Sequence, residues 1–164
     1  MKTALVVAHP DDEIVWFSSI LDKIDIIYIC YLDALQHKTY KAKRLLVLNE
    51  HPLKEKIIAL DANNETVEAE LRKALKGYST VYTHNPWGEY GHEQHILVHN
   101  IVKKLQKKYR FTMWVSDYSP EKLILSADRE KRAKIKKLYK HYRVWTASIF
   151  MDAWLNDDVF CRMP

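Results

Sequence analysis

Glycine, proline and cysteine are all scarce in this chain of 164 residues, which has three, five and two of them. So few glycines and prolines exclude collagen-like and low-complexity architectures and leave little material for long flexible linkers. Neither GxGxxG nor GxxxxGK[ST] occurs, so the glycine-rich loops that cradle nucleotide phosphates are missing. Cys30 and Cys161 do not make a disulfide framework and read as reduced thiols of a cytoplasmic protein. No apolar run approaches the about 20 residues of a membrane span, and the run after Met1-Lys2-Thr3 is too short for a signal-peptide core. What is present is ordinary for a globular protein, 48% hydrophobic and 29% charged residues, enough for one domain over residues 1–164 with a real core.

Positive charge is in excess by five but is concentrated. Residues 129–143 (REKRAKIKKLYKHYR) hold eight Lys or Arg against one Glu. One reading is a solvated helix whose buried stripe is Ile135, Leu138, Tyr139 and Tyr142 at helical spacing. The other is an electrostatic guide for an anionic ligand.

Apolar runs alternate with helix-like segments, the pattern of βαβ units. Strands are expected at Thr3–Ala8, Ile24–Tyr31, Lys56–Leu60, Thr80–Thr83 and Phe111–Val115. Helices are expected at Glu13–Leu21, Lys38–Asn49, Glu65–Leu75 (Asn64 as N-cap), His92–Lys108 and over the basic segment, with no assignment for Val144–Pro164. The expected architecture is α/β: a Rossmann-like open, mostly parallel sheet ordered 3-2-1-4-5 with helices on both faces. In that order strands one and four are neighbours, and ligands bind at the carboxyl ends of strands where the order reverses.

Two polar motifs fall at that point. Ala8-His9-Pro10-Asp11-Asp12-Glu13 follows the first strand, and Gly88-Glu89-Tyr90-Gly91-His92-Glu93-Gln94-His95 follows the fourth. His9 and Asp12 are three apart across a turn entering a helix, and His92 and His95 are three apart at a helix start. A catalytic zinc typically takes three such ligands and keeps a position for water, whose pKa it lowers to near neutrality. Three of these four residues would suffice, with one imidazole spare, and Asp11 is the carboxylate next in line to take a proton. The same Asp11-Asp12-Glu13 run also reads as favourable charge at a helix N-terminus.

Together, AHPDDE and THNPWGEYGHEQH resemble the PIG-L/LmbE family of zinc-dependent de-N-acetylases, in order over roughly Thr3 to Lys103. The resemblance implies that His9, Asp12 and His95 are metal ligands and that Asp11 is the general base toward water. It implies that His92 steadies the oxyanion and protonates the departing amine, with Tyr90 beside them in positioning or charge stabilisation. Asn85, Trp87 and Glu89 fit the loop pattern and are expected to shape it. The metal implied is Zn2+, although two imidazoles and a carboxylate would also hold Fe2+, Mn2+ or Co2+. The substrate implied is a small N-acetylated sugar or sugar conjugate, with an anionic group an open option and no nucleic-acid partner.

The chain also departs from the family pattern. Glu93-Gln94 stand where Pro-Asp is usual, leaving the tuning of His92 open, and Ile14–Ser19 replace a glycine-rich stretch. The usual Arg-x-x-Glu of the second helix is missing; Arg44 lies there without an assignable role. A short chain implies a reduced substrate wall or one completed by a second subunit in an oligomer. The reading is an N-deacetylase, with two alternatives: a metal-dependent hydrolase of a non-sugar amide or ester, and a non-catalytic anion-binding domain on the same fold.

Overall fold

The computed structural model describes residues 1–33, 40–116, 122–126, 128–145 and 157–163. Its centre is β1 (Thr3–Val7), flanked by β2 (Ile26–Ile29) on one side and β4 (Thr80–Thr83) on the other, all parallel. β3 (Ile57–Ala59) pairs with β2 and β5 (Thr112–Ser116) with β4, again parallel, so the expected order 3-2-1-4-5 is present. Beyond β5 the sheet continues through antiparallel β7 (Asp157–Met163) to β6 (Lys122–Ser126). These two strands had no counterpart in the sequence reading. Both their pairings are antiparallel, and β7 lies spatially between two strands that precede it in the chain, an insertion that local patterning does not encode.

β1 is buried on both faces, and its side chains alternate between two cores. Ala4, Val6 and Ala8 join the core under α3 (Val67–Ala74) and α5 (Glu93–Tyr109), where Leu71, Leu75, Val98, Val102 and Leu105 are buried. Leu5 and Val7 face the other way, toward α1 (Asp12–Trp16), α2 (Tyr40–Glu50) and α6 (Arg129–His141). That two-sided burial explains why the central strands are continuous apolar runs.

The first helix is shorter than the expected Glu13–Leu21. α1 stops after Trp16, because Phe17 leaves helical geometry (φ −135°), and a 3-10 turn runs from Ser18 to Lys23. Phe17 turns fully inward and stacks on Phe160 of β7 with ring centroids 5.7 Å apart. In α3 the N-cap position is Thr66 rather than Asn64. Asn63 organises that turn, its Oδ1 accepting the Glu65 and Thr66 amides at 2.9 Å each.

α6 buries Ile135 and Tyr139 outright and packs Leu138 and Tyr142 partly against the same core, the stripe expected of a solvated helix. Its N-cap Asp128 accepts the Lys131 amide at 2.9 Å, and the Lys131 ammonium lies 2.7 Å from Asp22. Arg132 donates to the Ile14 and Val15 carbonyls at 3.2 and 3.1 Å, tying the helix to α1. Lys134, Lys137, Lys140 and Arg143 are exposed. Among the described residues no helix is long and apolar enough to cross a membrane.

Docking of α6 by its buried stripe, rather than by its exposed charges, has a measurable consequence. Ile135→Ala should lower the free energy of unfolding in urea by about 2–5 kcal/mol, while Lys137→Ala on the exposed face should change it by less than about 0.5 kcal/mol.

Candidate metal centre

Both polar motifs emerge at the carboxyl ends of the adjacent strands β1 and β4. After β1 the chain turns through His9-Pro10 and enters α1 with Asp11 in the left-handed region (φ 90°, ψ −25°). The Asp11 carbonyl starts the helix, accepting from Ile14 and Val15 at 3.1 and 3.0 Å. Asp11, Asp12 and Glu13 are all buried, at 1%, 6% and 0% exposure, and the Asp11 side chain does not cap the helix. Asp12 and Glu13 do fall in the first turn of α1, as that reading of the run expects, but their burial calls for partners beyond the helix dipole.

After β4, His84 and Asn85 are buried and the chain makes an irregular turn. Asn85 Oδ1 accepts the Trp87 amide at 3.0 Å and the Glu89 amide at 2.9 Å. Gly88 has φ 66°, and a Cβ there would lie 2.9 Å from Ile96 Cγ1 and 3.3 Å from His95 Cβ, so the turn presses directly on the start of α5. His92 is the N-cap of α5, its Nδ1 accepting the Gln94 amide at 3.3 Å.

The turns bring His9, Asp12 and His95 together. His9 Nδ1 lies 3.4 Å from Asp12 Oδ2, His95 Nε2 lies 3.3 Å from the same oxygen, and the two imidazole nitrogens are 3.3 Å apart. Three donor atoms around a tetrahedral ion with bonds of about 2.0–2.2 Å are separated by about 3.3–3.6 Å, so this triangle has the size of one coordination face. Two other triads, His9–His92–His95 and Asp12–His84–His95, also have ligand atoms within 4.8 Å of one another. Hydrogen bonding favours the first triangle. His84 Nε2 accepts the Ala8 amide at 2.9 Å and its Nδ1 meets Glu89 at 3.0 Å, so neither nitrogen has a lone pair to spare.

The two imidazoles of the triangle are wired to point lone pairs inward. His9 Nε2 lies 2.6 Å from Gln94 Oε1, an acceptor, which places its proton there and leaves Nδ1 bare toward the centre. His95 Nδ1 lies 2.7 Å from Glu89 Oε2, which does the same for Nε2. Glu89 is in turn saturated: Oε2 also faces His84, and Oε1 accepts from the Asn85 amide at 3.2 Å and from the Ser116 hydroxyl. The donor set, its spacing and its orientation fit a divalent cation.

Electrostatics agree. Burial opposes charge on Asp12, yet His95, His84 and His9 hold it well below the usual carboxylate range. Glu89 is likewise drawn down to about 2, chiefly by His84 against burial. His95 is pushed up to about 10, with Asp12 and Glu89 overcoming its burial. The triangle therefore calls for one added positive charge, which a proton or a cation can supply. His92 moves the opposite way, to about 4, through burial and the neighbouring His95 and His9. It is a neutral imidazole at pH 7, and since Nδ1 is an acceptor its proton is on Nε2.

Two of the remaining expected residues, His92 and Tyr90, lie against this centre. The His92 ring is 4.8 Å from that of His9 and 4.5 Å from that of His95. Tyr90 is 59% exposed and stands edge-on to His92 and His95 at 5.8 and 5.7 Å. Asp11 joins none of the three triads; its charge interacts with the buried Arg44 and with Tyr90. The sequence reading gave Glu89 only a place in the loop and no role to Gln94, His84 or Ser116. For Glu89 and His84 the available signal was position, directly after a strand end and within a few residues of a candidate ligand.

The fold is shared with known enzymes. A deacetylase–teicoplanin complex superposes with a TM-score of 0.70 over 99% of this chain and 97% of that one, at 9% identity. A triple mutant of the Orf2 deacetylase from the teicoplanin biosynthetic pathway matches with a TM-score of 0.65 at 13% identity, covering 88% of this chain and 82% of that one. The A40926 pseudoaglycone deacetylase Dbv21 matches at 0.60 and 12% identity, over 87% and 81%. By sequence, no protein-family profile and no curated protein matches the chain.

The His95 shift gives a pH signature. Its folded value of about 10 lies above the about 6.5 of an unfolded imidazole. The stability it adds to the metal-free chain is fully present below pH 6.5 and is lost as pH rises toward 10. His92, shifted the other way, acts only below pH 6.5. Urea unfolding of chelator-treated protein should therefore show declining stability across pH 6.5–10, and saturating Zn2+ should flatten that decline by replacing the proton.

Proposed function

We propose that the chain is a metal-dependent hydrolase that removes an N-acyl group, acetyl in the first instance, from an amino-sugar or its conjugate. The observation that carries this reading is the triangle of His9 Nδ1, Asp12 Oδ2 and His95 Nε2, with the His92 ring beside it. The fold shared with deacetylases supports it, as does the sequence resemblance to the PIG-L/LmbE family. In this reading His9, Asp12 and His95 hold the cation, zinc being the best match to two imidazoles and one carboxylate with Fe2+, Mn2+ and Co2+ as substitutes. Such a cation supplies Lewis acidity, polarising the amide carbonyl and acidifying a water.

The protein side of the reaction follows from the hydrogen bonding. Asp11 accepts a proton from the attacking water as its oxygen bonds to the carbonyl carbon. His92, neutral with its proton on Nε2, donates a hydrogen bond to the oxyanion rather than a proton to the amine. The proton taken by Asp11 then passes to the nitrogen as the C–N bond breaks, giving a carboxylic acid and an amine that at neutral pH are present as carboxylate and ammonium. Tyr90 and Trp87, both more than half exposed, stand on the turn beside the centre where a sugar ring would approach.

The test combines metal analysis with amine release across N-acetylhexosamine derivatives and non-sugar amides, with and without chelator. Asp11→Asn should keep its metal and lose about 10²–10⁴-fold in kcat, whereas Asp12→Ala should lose metal and turnover together. Glu89→Gln keeps shape but removes the charge behind His95 and should weaken zinc binding about 10–100-fold. Near-normal turnover by metal-loaded Asp11→Asn would refute the base assignment. Release from non-sugar amides alone would move the substrate class.

A further inference from the structure

Glu13 is the most deeply buried carboxylate of the first motif, and it does not face the triangle. Its Oε2 accepts the backbone amide of Asp11 at 2.9 Å. Its Oε1 accepts the hydroxyl of Tyr139, on α6, at 2.7 Å. His51 approaches from a third side. Its Nδ1 accepts the Leu53 amide at 3.0 Å, so the proton is on Nε2, which lies 3.4 Å from Glu13 Oε1. That approach is too poorly directed for a hydrogen bond but favourable for a carboxylate. Glu13, Tyr139 and His51 are all 99% or more buried, so no water competes for these contacts.

The residue that Glu13 grips is the residue of the first motif with positive φ. Asp11 has φ 90°, a region that residues with a side chain occupy only when their surroundings enforce it. Glu13, in the first turn of α1, reaches back two residues to the amide of the N-cap, as the carboxylate of a capping box does, but here the amide it holds belongs to a residue at positive φ. The helix that supplies Tyr139 also holds the far end of α1, where Arg132 donates to the Ile14 and Val15 carbonyls and to Ser18 Oγ at 3.2, 3.1 and 3.2 Å. α6 therefore fixes both ends of the short helix that carries Asp11 and Asp12.

Resting on the proposed role of Asp11 as base, we infer that Glu13 is the positioning residue that holds Asp11 in its left-handed conformation, and that Tyr139 holds Glu13 to that task. This assigns the basic helix a part in catalysis that needs none of its exposed charge. Glu13 touches neither water nor substrate. It sets the direction in which the Asp11 carboxylate leaves the backbone.

The test uses the full chain with Tyr139→Phe, Glu13→Gln and Glu13→Ala. Each variant is examined for bound zinc, thermal midpoint, kcat and KM for amine release, and the Asp11 backbone in a crystal structure. Glu13→Ala should retain zinc and KM while kcat falls about 100-fold, the scale expected of a misdirected catalytic group, with Asp11 leaving the positive-φ region. Glu13→Gln can still accept the Asp11 amide through its side-chain oxygen and should recover most of that loss. Tyr139→Phe should lower kcat about tenfold at unchanged zinc content, as loss of an outer hydrogen-bonding partner does. A lower thermal midpoint with kcat within twofold of wild type in these variants would overturn the inference, because a purely structural role predicts that outcome. Asp11 at unchanged φ in Glu13→Ala would overturn it whether or not the wild type turns over. Absence of amine release from zinc-loaded wild type would instead count against the proposed function, and the Asp11 backbone in the variants would then decide the positioning claim by itself. Should Glu13→Ala fail to fold, Tyr139→Phe carries both measurements.

Discussion

Three consecutive carboxylates are withdrawn from water at the end of the central strand, and much of the surrounding structure compensates them. Moving even one such group out of solvent is costly unless it is paired and hydrogen-bonded. Asp12 is answered by the His9 amide at 2.8 Å and by His95 across the β1–β4 seam. Glu13 is answered by Tyr139 and the Asp11 amide. Asp11 has the buried guanidinium of Arg44, itself fixed by donation to the Leu32 carbonyl at 3.0 Å. Removing one partner would leave a buried charge exposed to its neighbours, which accounts for the number of distant segments that converge here.

The same compensation fixes chemistry that the residue types leave undetermined. An imidazole can present either nitrogen as a lone pair, and Gln94 and Glu89 decide the matter for His9 and His95. His84, buried between the motifs, is turned into a strut by the Ala8 amide and Glu89. Glu89 reaches all its partners because it occupies a left-handed position (φ 59°) beside Gly88, a turn stabilised by the Asn85 side chain. Strain in one turn is thus exchanged for orientation of the His95 imidazole six residues later.

Most of the sheet was legible because burial on both faces leaves continuous apolar runs: β1, β2 and β4 all fall where Thr3–Ala8, Ile24–Tyr31 and Thr80–Thr83 were expected. The meeting of the two motifs was legible for the same reason, since the strand order alone places them side by side. Tyr139 is an instructive failure. Its helical spacing marked it correctly as part of a buried stripe, but nothing in periodicity says that its hydroxyl ends on Glu13, because that contact joins residues 126 positions apart. Gln94 was noticed only as a departure from a pattern, and its bond to His9 depends on how α5 meets β1. The β6–β7 extension escaped because antiparallel insertion between existing strands is decided by tertiary pairing.

The spacing of these partners along the chain bears on how the centre comes into being during synthesis. The first motif leaves the ribosome early, with its carboxylates solvated and Asp11 free to relax from its constrained geometry. Its imidazole and amide partners lie 76 to 86 residues downstream, and the Tyr139 hydroxyl 126 residues from Glu13. At about 5–20 residues per second, the interval before Tyr139 is made is roughly 6–25 s. Throughout that time the nascent chain displays a flexible His-x-x-Asp segment without its enforced shape. Such a segment offers only two of the three donor atoms of the triangle, so any cation it meets is held weakly until His95 has been made and folded against it.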